Sequence, residues 1–202
     1  GEQSLMGAII TLAQDFVGSN NWNLAEPNGQ FGTRLMGGKD AASPRYIFTK
    51  LSKYGLTAFA KEDDAVLDYL NDEGMQIEPK YYVPKVPIVL INGAEGIGTG
   101  YSTSIPPYNP KDIIGALAEH IEGKPIRELS PWWDGFTGTV KPINDERDGF
   151  ITQGVYRIIG RTQIDITELP IGKWTQDYKE FLDTLVDSDK IDNFDNYSTD
   201  VK

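Results

Sequence analysis

The 202 residues contain no cysteine and a single histidine, and the apolar runs stop short of the ~20 residues that a membrane-spanning helix needs. The missing cysteines exclude a disulfide scaffold and thiolate metal centres, and they fit a reducing compartment. The lone histidine, His120, has no second histidine or cysteine beside it, so a structural or solvated role is expected for it. No membrane-embedded segment is expected. The N-terminus, GEQSLMGAII, lacks a basic region and a small-residue cleavage site, so no secretory leader is expected and Gly1 reads as an artificial boundary. Basic residues are also scarce: 19 Lys and Arg face 30 Asp and Glu, a net charge of −11. That balance argues against a broad polyanion-binding surface, because such binding needs cations placed against phosphates.

The rest is an ordinary globular composition, 39% hydrophobic and 24% charged. Length allows one large domain or two small ones, and a shift in composition near Lys85 favours two. Against the acidic background stands one island, Gly29 to Lys53, GQFGTRLMGGKDAASPRYIFTKLSK. Arg34, Lys39, Arg45, Lys50 and Lys53 oppose Asp40 alone. Taken by itself, such a cluster reads first as a solvated face.

Leu5, Ile9, Leu12, Ala13 and Phe16 recur at helical spacing and predict a helix over Ser4 to Val17, closed by Gly18. Met6, Ile10 and Val17 add a second apolar stripe, so cover on more than one side is expected. SNNWNLAEPNGQFG then reads as a loop or wing with short extended pieces. Ser43-Pro44 predicts a helix start, with serine as N-cap and proline at the first helical position. Tyr46 would then lie in the first turn, sharing a face with Lys50 and Lys53 at a helix N-terminus suited to an anion, while Ile47, Leu51 and Tyr54 point inward. Glu62 to Asp72 fits a short helix or an extended segment. Tyr81 to Ile91 reads as a strand, its first half confined to an edge by Pro84 and Pro87. Asn109-Pro110 repeats the cap-plus-proline start for a helix to Glu122. Gly138 to Pro170 predicts an antiparallel meander. Thr175 to Val186 is a helix with Tyr178, Phe181, Leu182 and Leu185 on its apolar face, and Asp187 to Asp200 is an acidic tail. The class is α+β.

GAEGIGTG, Gly93 to Gly100, looks like a phosphate loop but lacks the Gly-Lys-Ser/Thr ending, and the prolines of the following YSTSIPPYNP prevent a helix from opening there. Ile97 between two glycines fits an outward apolar tip able to wedge between base steps, and equally a plug in the protein's own core. Glu62-Asp63-Asp64 and Asp187-Ser188-Asp189 read as solvated acids, so no metal site is expected. Tyr46 is one of ten tyrosines. Its phenol, with an ordinary pKa of about 10, would be helped toward phenolate by Arg45, which could also neutralise an attacked phosphodiester. That chemistry leads to a phosphotyrosyl link. This stretch contains no evident general base.

GEQSLMGAIITLAQDFVGSNN, GQFGTRLMGGKDAASPRYIFT, INGAEGIGTGYSTSIPPYNP and ITELPIGKWTQDYKE, in this order, resemble eukaryotic-type DNA topoisomerase II, a type IIA topoisomerase, over nearly the whole chain. The resemblance implies the C-terminal part of a winged-helix domain over 1–84, followed over 85–202 by a mixed α/β tower domain with a small antiparallel sheet. It implies that Tyr46 is the nucleophile for the 5′ phosphate of a cleaved strand and that Arg45 is the neighbouring phosphate-binding arginine. Ile97 matches the residue that intercalates and bends the duplex, and Arg34, Lys39 and Lys50 are expected to face DNA. Tyr101 stands where many relatives have tryptophan, and Gly172-Lys173 where an Arg-Thr type pair is common. The implied partners are double-stranded DNA and a second copy in a homodimer, with a nuclear location if the source is a eukaryotic cell. Mg²⁺ and ATP are implied for the complete enzyme, both bound outside this chain. The isolated residues are therefore expected neither to cleave nor to relax DNA. Two other classes stay open: a winged-helix module that bends DNA without cutting it, and an acidic interaction domain without DNA contact.

Overall fold

The computed structural model describes residues 1–144 and 149–199. Asp200, the last acid of the expected tail, lies outside them. The architecture is mixed α and β, with helices α1 (Glu2–Ala13), α2 (Lys53–Ala58), α3 (Ile88–Asn92), α4 (Pro110–Ile121) and α5 (Thr175–Asp187). Four separate two-stranded antiparallel sheets accompany them: β1 (Tyr69–Asp72) with β2 (Met75–Pro79), β3 (Ala94–Gly98) with β4 (Tyr101–Ile105), β5 (Thr139–Pro142) with β6 (Phe150–Gln153), and β7 (Val155–Ile159) with β8 (Gln163–Glu168). Among the described residues no helix is long and apolar enough to cross a membrane.

The helices with good end signals form where expected. The Asn109 side chain accepts from the Lys111 amide at 3.0 Å, Pro110 needs no partner for its nitrogen, and Ile113 and Ala116 face the interior. α1 stops earlier than its apolar period suggests. Gln14 is extended, and the Asn20 side chain donates to the carbonyls of Thr11 at 2.6 Å and Gln14 at 2.9 Å, taking over the helix end. Its cover is also one-sided. Ala13 is buried and Met6 and Ile10 are half-buried, whereas Leu5, Ile9 and Leu12 are exposed, because the described residues pack along the side that carries Met6, Ile10 and Ala13.

Three further expectations are corrected. No continuous helix runs from Pro44. One 3-10 turn, Pro44–Tyr46, gives way to extended chain at Ile47, and the next helix begins only at Lys53, where the Ser52 hydroxyl accepts from the amides of Tyr54 and Gly55. Backbone pairing of Phe48 with Asn28 and of Leu51 with Ala25 outcompetes the helix, so Tyr46, Lys50 and Lys53 do not share a helical face. Leu51, assigned to an inward stripe, is exposed. Tyr81 to Ile91 is not a strand: Pro87 precedes α3, and its carbonyl accepts from Leu90 at 2.9 Å, a turn that buries Ile91 completely. The expected meander is two independent hairpins, because β6 and β7 do not pair. The open segment Glu62 to Asp72 resolves into a 3-10 turn, Lys61–Ala65, followed by β1.

Two links fasten the chain's beginning to its middle. Asn21 is buried; its amide donates to the carbonyls of Ile91 at 2.8 Å and Trp132 at 3.0 Å, and its oxygen accepts from the Asp134 amide at 2.9 Å. Asn92 and Trp22 exchange two bonds of 2.8 Å in mirror fashion. A small core of Ala13, Ala25 and Phe31, with Ile10 and Ile47 against it, lies under the start of the basic island.

Candidate functional site

The island folds as a doubled-back loop. Its base is sealed by the Asn28–Phe48 pair, at 3.2 and 3.0 Å, and by Glu26 N to Lys50 O at 2.8 Å; further out, Ala42 donates to Gln30 at 2.9 Å. The tip is a tight turn through residues 33–40. Asp40 closes it by accepting from the Thr33 amide at 2.8 Å and the Thr33 hydroxyl at 2.5 Å. Gly37, at φ +62, lies so close to the indole of Trp174 that a Cβ would approach it to 2.3 Å, so only glycine fits there. Trp174 meets Phe16 edge-on at 5.8 Å between ring centres.

Tyr46 sits on the returning limb of this loop, its amide bonded to Ser43 O at 3.0 Å and its side chain 71% exposed. Arg45 beside it and Lys39 in the tip are exposed, and neither has an ion-pair partner among the described residues. Lys50 is exposed and reaches Glu26 at 3.4 Å, a solvated pair of small energetic weight. Lys53 lies over the Tyr54 ring at 4.9 Å, which in turn stacks on Trp22. Ile97 lies on a different element, the β3–β4 hairpin, and is 93% exposed. Of the two readings left open for it, the outward tip is the one observed.

Arg34 stands apart from the other cations. Its guanidinium is bound to the Glu168 carboxylate and donates to Leu169 O at 3.0 Å, so it braces the loop against the far end of β8. Glu168 was not singled out from sequence. It lies 134 residues from Arg34, and nothing in TQIDITELP marks it as different from the other acids. In the fold its side chain is 4% exposed and also accepts from the Thr137 amide at 3.1 Å, the Thr137 hydroxyl at 3.0 Å and the Leu169 amide at 2.9 Å. Burial alone would push the carboxyl up; the Arg34 and Thr137 hydrogen bonds outweigh it and hold the group below the ordinary carboxylate range. A lowered folded-state value contributes stability that is present above the unfolded value and is lost as pH falls through the folded one. Melting temperature should therefore hold at neutral pH and fall below about pH 4.5, with part of that acid slope missing in Glu168→Gln. An unchanged acid slope in the variant would contradict this ion pair.

A solvent-facing tyrosine thus stands beside an arginine that has no ion-pair partner among the described residues, on a loop pinned at base and tip. The family model of the A-type chains of DNA gyrase and topoisomerase IV matches residues 1–202, and the chain belongs to that family. Within it the chain is similar to DNA topoisomerase 2 of Arabidopsis thaliana, 52% identical over 204 residues, and to the mitochondrial DNA topoisomerase 2 of Dictyostelium discoideum, 50% identical over 201 residues. All of the chain is covered in the first case and 99% in the second, against 14% and 15% of those relatives' lengths. The chain thus spans about one seventh of the curated relatives that it matches. The solved Plasmodium falciparum topoisomerase II DNA-binding, cleavage and re-ligation domain superposes with a TM-score of 0.93 at 49% identity, covering 99% of this chain and 28% of that one. The resemblance to eukaryotic topoisomerase II read from the motifs holds over the whole length.

Proposed function

We propose that these residues are the nucleophile-bearing part of an ATP-dependent type IIA DNA topoisomerase, which cuts both strands of one duplex, passes a second duplex through the break and reseals it. The observation that carries this is Tyr46, exposed on a loop fixed at both ends, with Arg45 beside it and without an ion-pair partner among the described residues. The Tyr46 oxygen attacks a backbone phosphorus, the bond to the 3′ oxygen breaks, and a proton passes to the leaving 3′ hydroxyl as the 5′ phosphotyrosyl link forms. One phosphodiester is exchanged for another, so resealing is the same step reversed. Arg45 offsets the charge that gathers on the non-bridging oxygens. Two copies of Tyr46 in a homodimer act on the two strands. The decisive experiment is denaturant trapping of the protein–DNA adduct in the complete enzyme.

In this reading residues 1–84 are the C-terminal part of a winged-helix domain and residues 85–202 a tower domain, joined through Asn21 and Asn92. Lys39 and Lys50 meet phosphates, while Arg34, held by Glu168, braces the turn and does not itself meet a phosphate. The residues do not fit a divalent ion: among those described, no three His, Asp or Glu side chains converge. Mg²⁺ and ATP belong to the complete enzyme at sites outside this chain, and no step above is routed through them. A nuclear location accords with the eukaryotic relatives, one of which is mitochondrial.

Ile97 serves as the wedge. It is nearly fully exposed, in a hairpin closed by the two-residue turn Thr99-Gly100. Ile97→Ala should reduce the bend of the bound duplex, read by fluorescence transfer between its ends, and weaken duplex binding by roughly 1–2 kcal/mol, the apolar area lost from the wedge. An unaltered bend would remove Ile97 from the interface.

A further inference from the structure

Among the described residues Glu168 is the only buried carboxylate, and both of its oxygens are used. One accepts from Arg34 and from the Leu169 amide, the other from the Thr137 amide and hydroxyl. We propose that Glu168, acting through Arg34 and locked by Thr137, is a positioning residue for strand cleavage that sets the loop carrying Arg45 and Tyr46. The proposal rests on the reading of Tyr46 as the nucleophile.

The route is short and continuous. Arg34 opens the turn that Thr33 and Asp40 close, and four residues after Asp40 the 3-10 turn of Pro44, Arg45 and Tyr46 begins. The tip has a second anchor. The first helical turn of α5 has no side-chain cap, and the amide of Gln176 donates instead to the carbonyl of Leu35 at 2.9 Å, beside Trp174 packed on Gly37. The returning limb therefore hangs between the tip, tied to β8 and α5, and the base, where Phe48 pairs with Asn28 and Ile47 packs on the small core. Removing Glu168 cuts the tip's tie to β8 and leaves the α5 contact and the base intact. Tyr46 stays folded on its loop but loses one of the ties that fix its backbone.

Electrostatics predicts the opposite sign for DNA affinity. Freeing the Arg34 guanidinium adds an unpaired cation to the basic island, so duplex binding should hold or tighten. A fall in cleavage therefore cannot be explained by a weaker grip on DNA.

The experiment uses the complete homodimeric enzyme and single-turnover cleavage of a saturating duplex, at a temperature well below melting. Glu168→Ala should slow cleavage by about tenfold to a hundredfold, the loss expected when a reacting group is misplaced by about 1 Å, with the duplex Kd within about twofold of wild type. Arg34→Ala should reproduce that loss, and the double variant should be no slower than either single one, because both break the same link. Thr137→Val, which deletes only the hydroxyl, and Glu168→Gln, which keeps the shape, should each give a smaller loss and provide the test if Glu168→Ala does not fold. Cleavage at the wild-type rate in Thr137→Val and Glu168→Gln overturns the proposal, as does full additivity of Arg34→Ala with Glu168→Ala. Tyr46→Phe, run in parallel, separates the two ideas: adducts surviving in it refute the nucleophile itself, whereas their loss there with normal Glu168 variants refutes only the positioning role.

Discussion

Tyr46→Phe in the complete homodimeric enzyme should abolish the covalent protein–DNA adduct, a loss of at least about 10⁴-fold in cleavage, as expected when a nucleophile is removed outright. The substitution deletes one oxygen from a ring that is 71% exposed, on a loop whose shape is held by backbone bonds at Asn28, Gln30 and Ser43. Folding and duplex binding should stay close to wild type, since neither the base nor the tip of the loop uses the phenol. That separation gives the experiment its power. A module that bends DNA without cutting it predicts no adduct in either protein and no effect of Tyr46→Phe in any assay, whereas adducts of normal yield in the variant would refute Tyr46 as the nucleophile.

The second large effect concerns stability. Asn21→Ala should lower the unfolding free energy by about 3 kcal/mol, because it leaves the carbonyls of Ile91 and Trp132 and the amide of Asp134 without the partner that satisfied all three. Asn21→Asp should be at least as damaging. It keeps an acceptor for Asp134 but turns a second oxygen toward two carbonyl oxygens. Urea denaturation gives the numbers, and a midpoint for Asn21→Ala equal to that of wild type would mean that this buried link carries no weight.

Where local chemistry decides structure, the sequence was a good guide. α4 and α5 have clear apolar periods, and α4 also has the Asn-Pro start; both occupy almost the residues expected. Tyr46 and Arg45 were singled out as a phenol beside a guanidinium in a basic window, within the SPRYIFT motif that carries the resemblance. The shape around them was less legible. Ser43-Pro44 is a sound helix start, yet it yields one 3-10 turn, because Phe48 and Leu51 find backbone partners 20 or more residues earlier in the chain. Ile88 to Asn92 looks like strand by its β-branched run but coils once to bury Ile91. The brace at Glu168 had no local signature at all. Its meaning comes from Arg34, and two residues so far apart in sequence become neighbours only in the finished fold.

That separation has a consequence for how the protein is made. A ribosome adding roughly 5–20 residues per second releases Gly37 on the order of ten seconds before Trp174, the residue on which it packs. Until β8 and the start of α5 emerge, the tip of the loop has nothing to dock on, and the tyrosine limb hangs from its base alone. The loop that carries Tyr46 is thus synthesised well before the elements that brace its tip, and it reaches its final shape only after they follow. A nascent chain stalled before Glu168 would present Tyr46 on an arm still unbraced at its outer end.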